Sequence, residues 1–148
     1  MFTIRPWLHV GKFVETLDVD LLRTHEIGAM LQLAESVQQI GIAARFVHVE
    51  DGEPLPKALL REGVDFVRLQ KSLGRKVLVA CGAGISRSTT FAIAALKEEE
   101  GLSVIEAYRE LKAKHPLAQP HPTLWTSLCA FYGEEVSYMT LLQNSPSD

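Results

Sequence analysis

Short apolar runs alternate with longer segments of helical periodicity along the first half of the chain. The apolar runs over 29–33, 44–49 and 76–80 predict strands. The last of them is continuous and rich in valine, which is typical of a strand that is covered on both faces. Apolar residues at helical spacing predict helices over 14–25 and 56–73 between these strands.

The second half of the chain carries the helical pattern almost throughout. Helices are predicted over 88–100, 103–114 and 122–132, and a weaker pattern predicts a last helix over 134–142. Strands that alternate with helices, followed by a helical half, predict the α/β class with a mostly parallel central sheet flanked by helices.

The composition fits one ordinary globular domain, since 47% of the 148 residues are hydrophobic and 22% are charged. We expect this domain to cover 1–142 and the polar tail 143–148 to be frayed. The net charge of -3 gives no general attraction for nucleic acid or an anionic membrane, and no apolar run approaches the ~18 residues that span a bilayer. Two cysteines are too few for a disulfide framework or a four-cysteine zinc site. We therefore expect a reduced, soluble, cytoplasmic monomer in which each cysteine needs its own explanation.

The loop after the run at 76–80 holds the residues that indicate a specific chemistry. Its sequence is Cys81-Gly82-Ala83-Gly84-Ile85-Ser86-Arg87-Ser88, and a predicted helix follows at once. Ligands of parallel sheets bind beyond the carboxyl ends of the strands, and this loop lies at such an end. Small residues let the backbone close round a ligand, and successive N–H groups with the helix N-terminus form a cradle for an anion. We therefore predict that the residues from Gly82 to Arg87 bind phosphate.

Three hypotheses compete for this loop. A nucleotide-binding loop of the Walker kind would need a lysine and a different glycine spacing, and a dinucleotide fingerprint would need a third glycine. The third hypothesis uses Cys81 and Arg87 together. A helix N-terminus and a guanidinium both favour a thiolate, and the guanidinium can hold two phosphate oxygens at once. A nucleophile, an anion cradle and a bidentate arginine on one loop fit phosphoryl transfer through a cysteinyl-phosphate.

The segment from Cys81 to Ser88 resembles the signature loop of the cysteine-dependent protein tyrosine phosphatases, in the form found in the dual-specificity branch. The segment from Ile4 to Gly11 resembles the opening strand motif of that branch. The resemblance covers roughly residues 3 to 133 and implies a tyrosine-phosphatase-like three-layer sandwich. The helical part of this chain after the loop also resembles that of the branch. The matching residues are Glu106-Ala107 with Lys112, His115-Pro116 and Pro120-His121.

The resemblance implies a role for each matching residue of the loop. Cys81 would be the nucleophile, Arg87 would clamp the phosphate and the transition state, and Ser88 would stabilise the departing thiolate. The family also needs a general acid on a separate loop, an Asp roughly thirty residues upstream of the cysteine. Asp51 matches this position, and a loop at the end of a strand beside the central strand could reach the site.

Other acidic residues and two departures from the family pattern bear on this assignment. Glu50 and Glu53 are lesser candidates for the acid, while Asp65 falls inside a predicted helix. Ala80 stands where the family usually has a His that helps to order the loop, which predicts a weaker enzyme near neutral pH. His121 stands where the branch often has Asn, outside the chemistry.

These features predict a phosphatase that hydrolyses phosphotyrosine, and also phosphoserine and phosphothreonine in proteins, without a metal or an organic cofactor. The segment from Gly82 to Ser86 contains no Lys or Arg, which favours protein substrates over phosphoinositides. One alternative stays open: a module of the same fold that binds phosphorylated partners without turnover, which Ala80 motivates. A sulfur-transferase of the rhodanese kind also uses a loop cysteine, but the five-residue spacing from Cys81 to Arg87 and the Ser88 hydroxyl suit phosphate better. Cys129 is predicted to be a packing residue, and the five histidines lack metal-ligand spacing.

Overall fold

A computed structural model describes residues 1–143 and shows five strands in one sheet with helices on both faces. The strands are β1 (Phe2–Arg5), β2 (Leu8–Lys12), β3 (Ile27–Gln32), β4 (Ala43–Phe46) and β5 (Lys76–Cys81). The helices are α1 (Val19–Thr24), α2 (Lys57–Ser72), α3 (Arg87–Glu100), α4 (Val104–Lys114), α5 (Pro122–Tyr132) and α6 (Tyr138–Gln143), and a 3-10 helix covers Phe13–Leu17.

The sheet has the strand order β1-β2-β5-β3-β4. Only β1 runs antiparallel, in a hairpin with β2, and the other neighbours are parallel. The mostly parallel α/β sandwich predicted from the sequence is therefore confirmed. The central position of β5 explains its apolar sequence, because both of its faces are buried.

Three predicted elements differ in their bounds. The predicted helix over 14–25 is divided at Asp18, whose side chain accepts a hydrogen bond from the Leu21 N–H (3.0 Å) and so begins α1 afresh. The predicted strand over 44–49 ends at Phe46, and the predicted last helix begins only at Tyr138. Gln143, assigned to a frayed tail, ends α6, while the rest of that tail lies outside the described residues.

The core lies mainly on one face of the sheet, between the sheet and helices α2 to α5. A smaller apolar cluster on the other face consists of Leu22, Ile27, Met30, Leu78 and Ala80. β5 contributes to both, with Val77 and Val79 on the first face and Leu78 and Ala80 on the second. Among residues 1–143, no helix has the length and apolar character needed to cross a membrane.

The acidic run Glu98-Glu99-Glu100 at the end of α3 is paired with cations from other elements. Side-chain bonds to basic residues cross from α3 to α2 and to β1, so the run ties these elements together, although partly exposed ion pairs contribute little each. The pairs are Glu98 with Arg61 and Arg68, Glu99 with Arg68 and Lys71, and Glu100 with Arg5.

His9 is a buried polar residue in β2, only 4% exposed. Its Nδ1 lies 3.0 Å from the Thr3 hydroxyl, and its Nε2 has no hydrogen-bond partner within residues 1–143. Burial, helped by the nearby His25 and Lys76, lowers the pKa of His9 to about 4. The fold therefore holds this imidazole in its neutral form.

We expect mild acid to destabilise the fold through His9. Because its pKa in the folded state lies below the unfolded value of about 6.5, the unfolded chain binds more protons between these two values. Above pH ~6.5 His9 makes its full contribution to the free energy of unfolding. As the pH falls toward 4, the free energy of unfolding decreases through His9 by at most about 3 kcal/mol. Urea denaturation at about pH 7 and about pH 4.5 would measure the loss, and His9→Asn should lose less over the same interval. An equal loss in both proteins would contradict the assignment.

Candidate active site

The predicted phosphate loop leaves the centre of the sheet, between the end of β5 and the start of α3. Cys81 is the last residue of β5 and is buried, and Arg87 is the first residue of α3 and is half-buried. Residues 82–86 between them belong to neither element, so their backbone groups need partners from elsewhere in the fold. The structure brings Cys81, Arg87, Ser88 and Asp51 to one site.

The carbonyl groups of the loop are bonded outward, away from its centre. Four of the five carbonyls of residues 82–86 accept hydrogen bonds from groups outside the loop. The donors are the Phe13 N–H to Gly82 (3.3 Å), the His115 Nε2 to Gly84 (2.7 Å), the Gln119 N–H to Ile85 (2.9 Å) and the Thr90 N–H to Ser86 (3.0 Å). With its carbonyls held in this way, the loop can direct its N–H groups, and those of the first turn of α3, toward a tetrahedral oxyanion.

Gly84 is the loop residue whose lack of a side chain the fold requires. Its φ of +72° lies in the left-handed region, which glycine adopts at little cost. A Cβ at this position would also lie 2.9 Å from the backbone of Gly11 in β2. The loop can therefore pack directly on the end of β2.

The thiol of Cys81 and the hydroxyl of Ser88 meet in a buried contact. The Cys81 Sγ lies 3.2 Å from the Ser88 Oγ, so a thiol can donate to the hydroxyl and a thiolate can accept from it. Ser88 is the second residue of α3 and is not its cap, a position that Ser86 takes. This geometry suits a hydroxyl that stabilises negative charge on the sulfur.

Asp51 reaches the loop from the far edge of the sheet. β4 is not beside β5, as the sequence suggested, because β3 lies between them. After β4 the chain runs along the end of β3, where the Val47 and Val49 N–H groups donate to the Gln32 and Leu33 carbonyls. This path places an Asp51 carboxylate oxygen 2.7 Å from the Ser86 hydroxyl.

Arg87 is bound to the same segment, since its Nη1 donates to the Val49 carbonyl at 2.9 Å. This bond fixes one arm of the guanidinium, while the Nη2 lies 3.1 Å from the position that a Cβ on Gly82 would take. The guanidinium therefore lies beside the loop backbone, where a planar fork can meet two oxygens of one anion.

Two of the other acidic residues are paired elsewhere, and the third makes no hydrogen bond in the described part of the chain. Glu50 pairs with the His48 imidazole at 2.5 Å, and both side chains are largely exposed. Asp65 lies in α2 and pairs with Arg61 one turn earlier (3.2 Å), as its helical position suggested. Glu53 is exposed, with no hydrogen bond in the described part of the chain.

Two histidines contribute to the site in ways that the sequence did not indicate. His115, at the end of α4, is 1% exposed, stacks on Phe2 with ring centroids 3.8 Å apart and donates to the Gly84 carbonyl. Burial lowers its pKa, so the ring stays neutral. The His121 N–H donates to the Ser86 hydroxyl at 2.8 Å. The helix-ending His115-Pro116 pair was the one available signal, but contact with the loop needs the tertiary fold.

The two cysteines differ as their sequence surroundings suggested. Cys129, in α5, is buried beside the Val136 carbonyl (3.8 Å), and burial raises the pKa of its thiol to about 11. Such a thiol is unreactive at neutral pH. Cys81 is buried too, but it borders the loop and the Ser88 hydroxyl. Ala80, beside it, packs in the smaller apolar cluster and has no side-chain group that could bond to the loop.

The chain resembles known proteins both in sequence and in structure. The sequence profile described as "Dual specificity phosphatase, catalytic domain" matches residues 8–134. Dual specificity protein phosphatase 15 of the mouse (Mus musculus) is 34% identical over 125 residues, which cover 82% of this chain and 53% of that protein. Dual specificity protein phosphatase 8 of Homo sapiens is 29% identical over 148 residues, covering 97% and 24%. The chain thus spans about half the length of the first relative and about a quarter of the second.

Solved structures agree with the sequence comparison. The crystal structure of DUSP15 superposes with a TM-score of 0.82 at 30% identity and covers 88% of this chain and 86% of that one. The crystal structure of human DUSP28 superposes with a TM-score of 0.83 at 25% identity and covers 90% and 96%. The sheet and helices described above are therefore shared over most of both chains.

We expect His115 to support oxyanion binding by holding the Gly84 carbonyl. In His115→Phe the ring can still stack on Phe2, but the carbonyl loses its donor. An unpaired buried carbonyl costs about 1–3 kcal/mol, so tungstate, a tetrahedral oxyanion, should bind roughly tenfold more weakly. Isothermal titration calorimetry would measure this. His115→Gln, whose amide can donate to the same carbonyl, should retain more affinity, and equal affinity in wild type and His115→Phe would show that the bond is dispensable.

Proposed function

Because the chain belongs to the dual-specificity phosphatase family, we propose that it hydrolyses phosphotyrosine, and also phosphoserine and phosphothreonine in proteins, through a cysteinyl-phosphate intermediate. The observation that carries the proposal is the thiol of Cys81 at the edge of a loop whose carbonyls are bonded outward. The Ser88 hydroxyl lies 3.2 Å from this sulfur, and the Arg87 guanidinium lies beside the loop at Gly82. The catalytic domain would cover 1–142.

In the first step the Cys81 thiolate, already deprotonated, attacks phosphorus. A phosphorus–sulfur bond forms while the bond from phosphorus to the ester oxygen breaks, and Asp51 gives its proton to that oxygen. Arg87 and the loop N–H groups, from Gly82 to Ser86, would hold the three remaining phosphate oxygens as charge redistributes among them. The dephosphorylated side chain then leaves.

In the second step water releases the phosphate. The Asp51 carboxylate takes a proton from water as the water oxygen attacks phosphorus, and the phosphorus–sulfur bond breaks. The departing thiolate accepts a hydrogen bond from Ser88, which lies 3.2 Å away. Neither step needs a metal ion or an organic cofactor, and both need the thiol to stay reduced, which supports a cytoplasmic, reducing setting. We propose that phosphorylated proteins are the partners and that the chain acts as a monomer, without nucleic acid or membrane.

A second candidate function is a module that binds phosphorylated partners without turning them over. It is motivated by Ala80, an apolar residue where the family usually has a His beside the nucleophile. The four groups proposed for catalysis (Cys81, Arg87, Ser88 and Asp51) are present and close together, which favours the enzyme.

The two candidates differ in what Cys81→Ser and Asp51→Asn do to 4-nitrophenyl phosphate and phosphopeptide turnover. For the enzyme, we expect Cys81→Ser to reduce activity to background because the hydroxyl is a weak nucleophile. Asp51→Asn should lower phosphopeptide turnover by about 10²–10⁴, the usual contribution of a general acid. Wild-type turnover no higher than that of Cys81→Ser would favour the binding module.

We expect phosphopeptides to be hydrolysed faster than phosphoinositides. The loop offers one guanidinium and no lysine to the extra ring phosphates of an inositol lipid. Phosphate release from a phosphotyrosine peptide and from short-chain phosphoinositides, at matched concentrations, would test this. Ala83→Lys adds a cation on an exposed loop position and should raise the relative rate on the lipid. A faster wild-type rate on phosphoinositides would overturn the preference for proteins.

A further inference from the structure

We propose that Ser86 is a positioning residue, whose hydroxyl holds Asp51 in place for proton transfer to the leaving group. This inference rests on the proposed function, in which Asp51 is the general acid. It adds a role for a loop residue that sequence analysis assigned to phosphate binding alone.

The direction of the hydrogen bonds at Ser86 follows from the nature of its partners. The His121 N–H can only donate, so the Ser86 oxygen accepts from it at 2.8 Å. The hydroxyl proton is then free to point at the Asp51 carboxylate, 2.7 Å away. Ser86 thus links the Asp51 loop to the start of α5 through one oxygen atom.

Ser86 does not serve its helix in the usual way. It occupies the N-cap of α3, where a serine side chain normally accepts from an N–H group of the first turn. Here the side chain makes no capping bond, and it turns instead to Asp51. The N–H groups of the first turn therefore stay available to an anion, and the hydroxyl donates to Asp51 instead.

The Asp51 loop is held against the phosphate loop by two hydrogen bonds. The Val49 carbonyl accepts from Arg87 (2.9 Å), and Asp51 accepts from Ser86 (2.7 Å). Of these two bonds, only that of Ser86 acts on the carboxylate itself. Removing the hydroxyl should therefore leave the loop in place but free the carboxylate to rotate.

The test uses leaving groups of different basicity. A general acid matters most when the leaving oxygen is strongly basic, so a misplaced acid slows phenyl phosphate more than 2,4-dinitrophenyl phosphate. We expect Ser86→Ala to lower kcat/KM for phenyl phosphate by about tenfold, the effect of one hydrogen bond to a charged group, with little change for the dinitrophenyl ester. Ser86→Thr keeps a hydroxyl and should restore the rate. Ser72→Ala, at an exposed position of α2, serves as the matched serine control.

A double-mutant comparison links the effect to Asp51. In an Asp51→Asn protein the acid is already lost. Adding Ser86→Ala to it should therefore not increase the ratio of kcat/KM between the dinitrophenyl ester and phenyl phosphate any further. Tungstate affinity should fall less in Ser86→Ala than the phenyl phosphate rate does, because the N–H of residue 86 remains and the loop carbonyls keep their donors.

Several results would overturn the inference. An equal loss for both esters, or a matching loss of tungstate affinity, would mean that the Ser86 hydroxyl supports the loop rather than Asp51. Unchanged kinetics in Ser86→Ala would mean that Asp51 is positioned without it. If wild type hydrolyses none of the esters faster than Cys81→Ser does, the proposed function is wrong, and the inference that rests on it is wrong too.

Discussion

The outward hydrogen bonding of the carbonyls in residues 82–86 is the constraint on which the rest of the site depends. A loop that follows a strand has no regular partners, and its N–H and C=O groups compete for the same space. Donors from three separate parts of the chain (Phe13, Thr90 and the connection between α4 and α5) bind the carbonyls of Gly82, Gly84, Ile85 and Ser86. Only then can the N–H groups face a bound anion together.

Two of these four donors, the His115 ring and the Gln119 N–H, come from the connection between α4 and α5, which explains why a helical region far along the chain bears on the site. The same connection also supplies the His121 N–H, which donates to the Ser86 hydroxyl and not to a carbonyl. The connection is itself braced, since the buried Lys112 donates to the Ala118 carbonyl at 2.6 Å. Support for the loop therefore relies on backbone and neutral groups, which add no net positive charge beside the phosphate position.

The mild net charge of the chain is consistent with this arrangement. Phosphate recognition here would use one guanidinium, a helix N-terminus and loop N–H groups, so a basic surface is unnecessary. The same arrangement separates the two thiols. Cys129 is enclosed by apolar helix packing and held protonated, whereas Cys81 borders polar groups that can stabilise a thiolate. Burial alone does not distinguish them; the atoms next to each sulfur do.

The sequence by itself determined the loop, three of the five strands and most of the helices, because periodicity, helix caps and the run from Cys81 to Ser88 are local properties of the chain. Resemblance to a known family also made Asp51 the candidate for the acid. The sequence did not place β4 at the sheet edge, nor reveal that His115, Gln119 and His121 hold the loop. Those contacts join residues more than thirty positions apart, and a hydrogen bond between such residues leaves no periodic trace in either segment. Only the tertiary structure could decide them, because it alone brings the two segments within bonding distance.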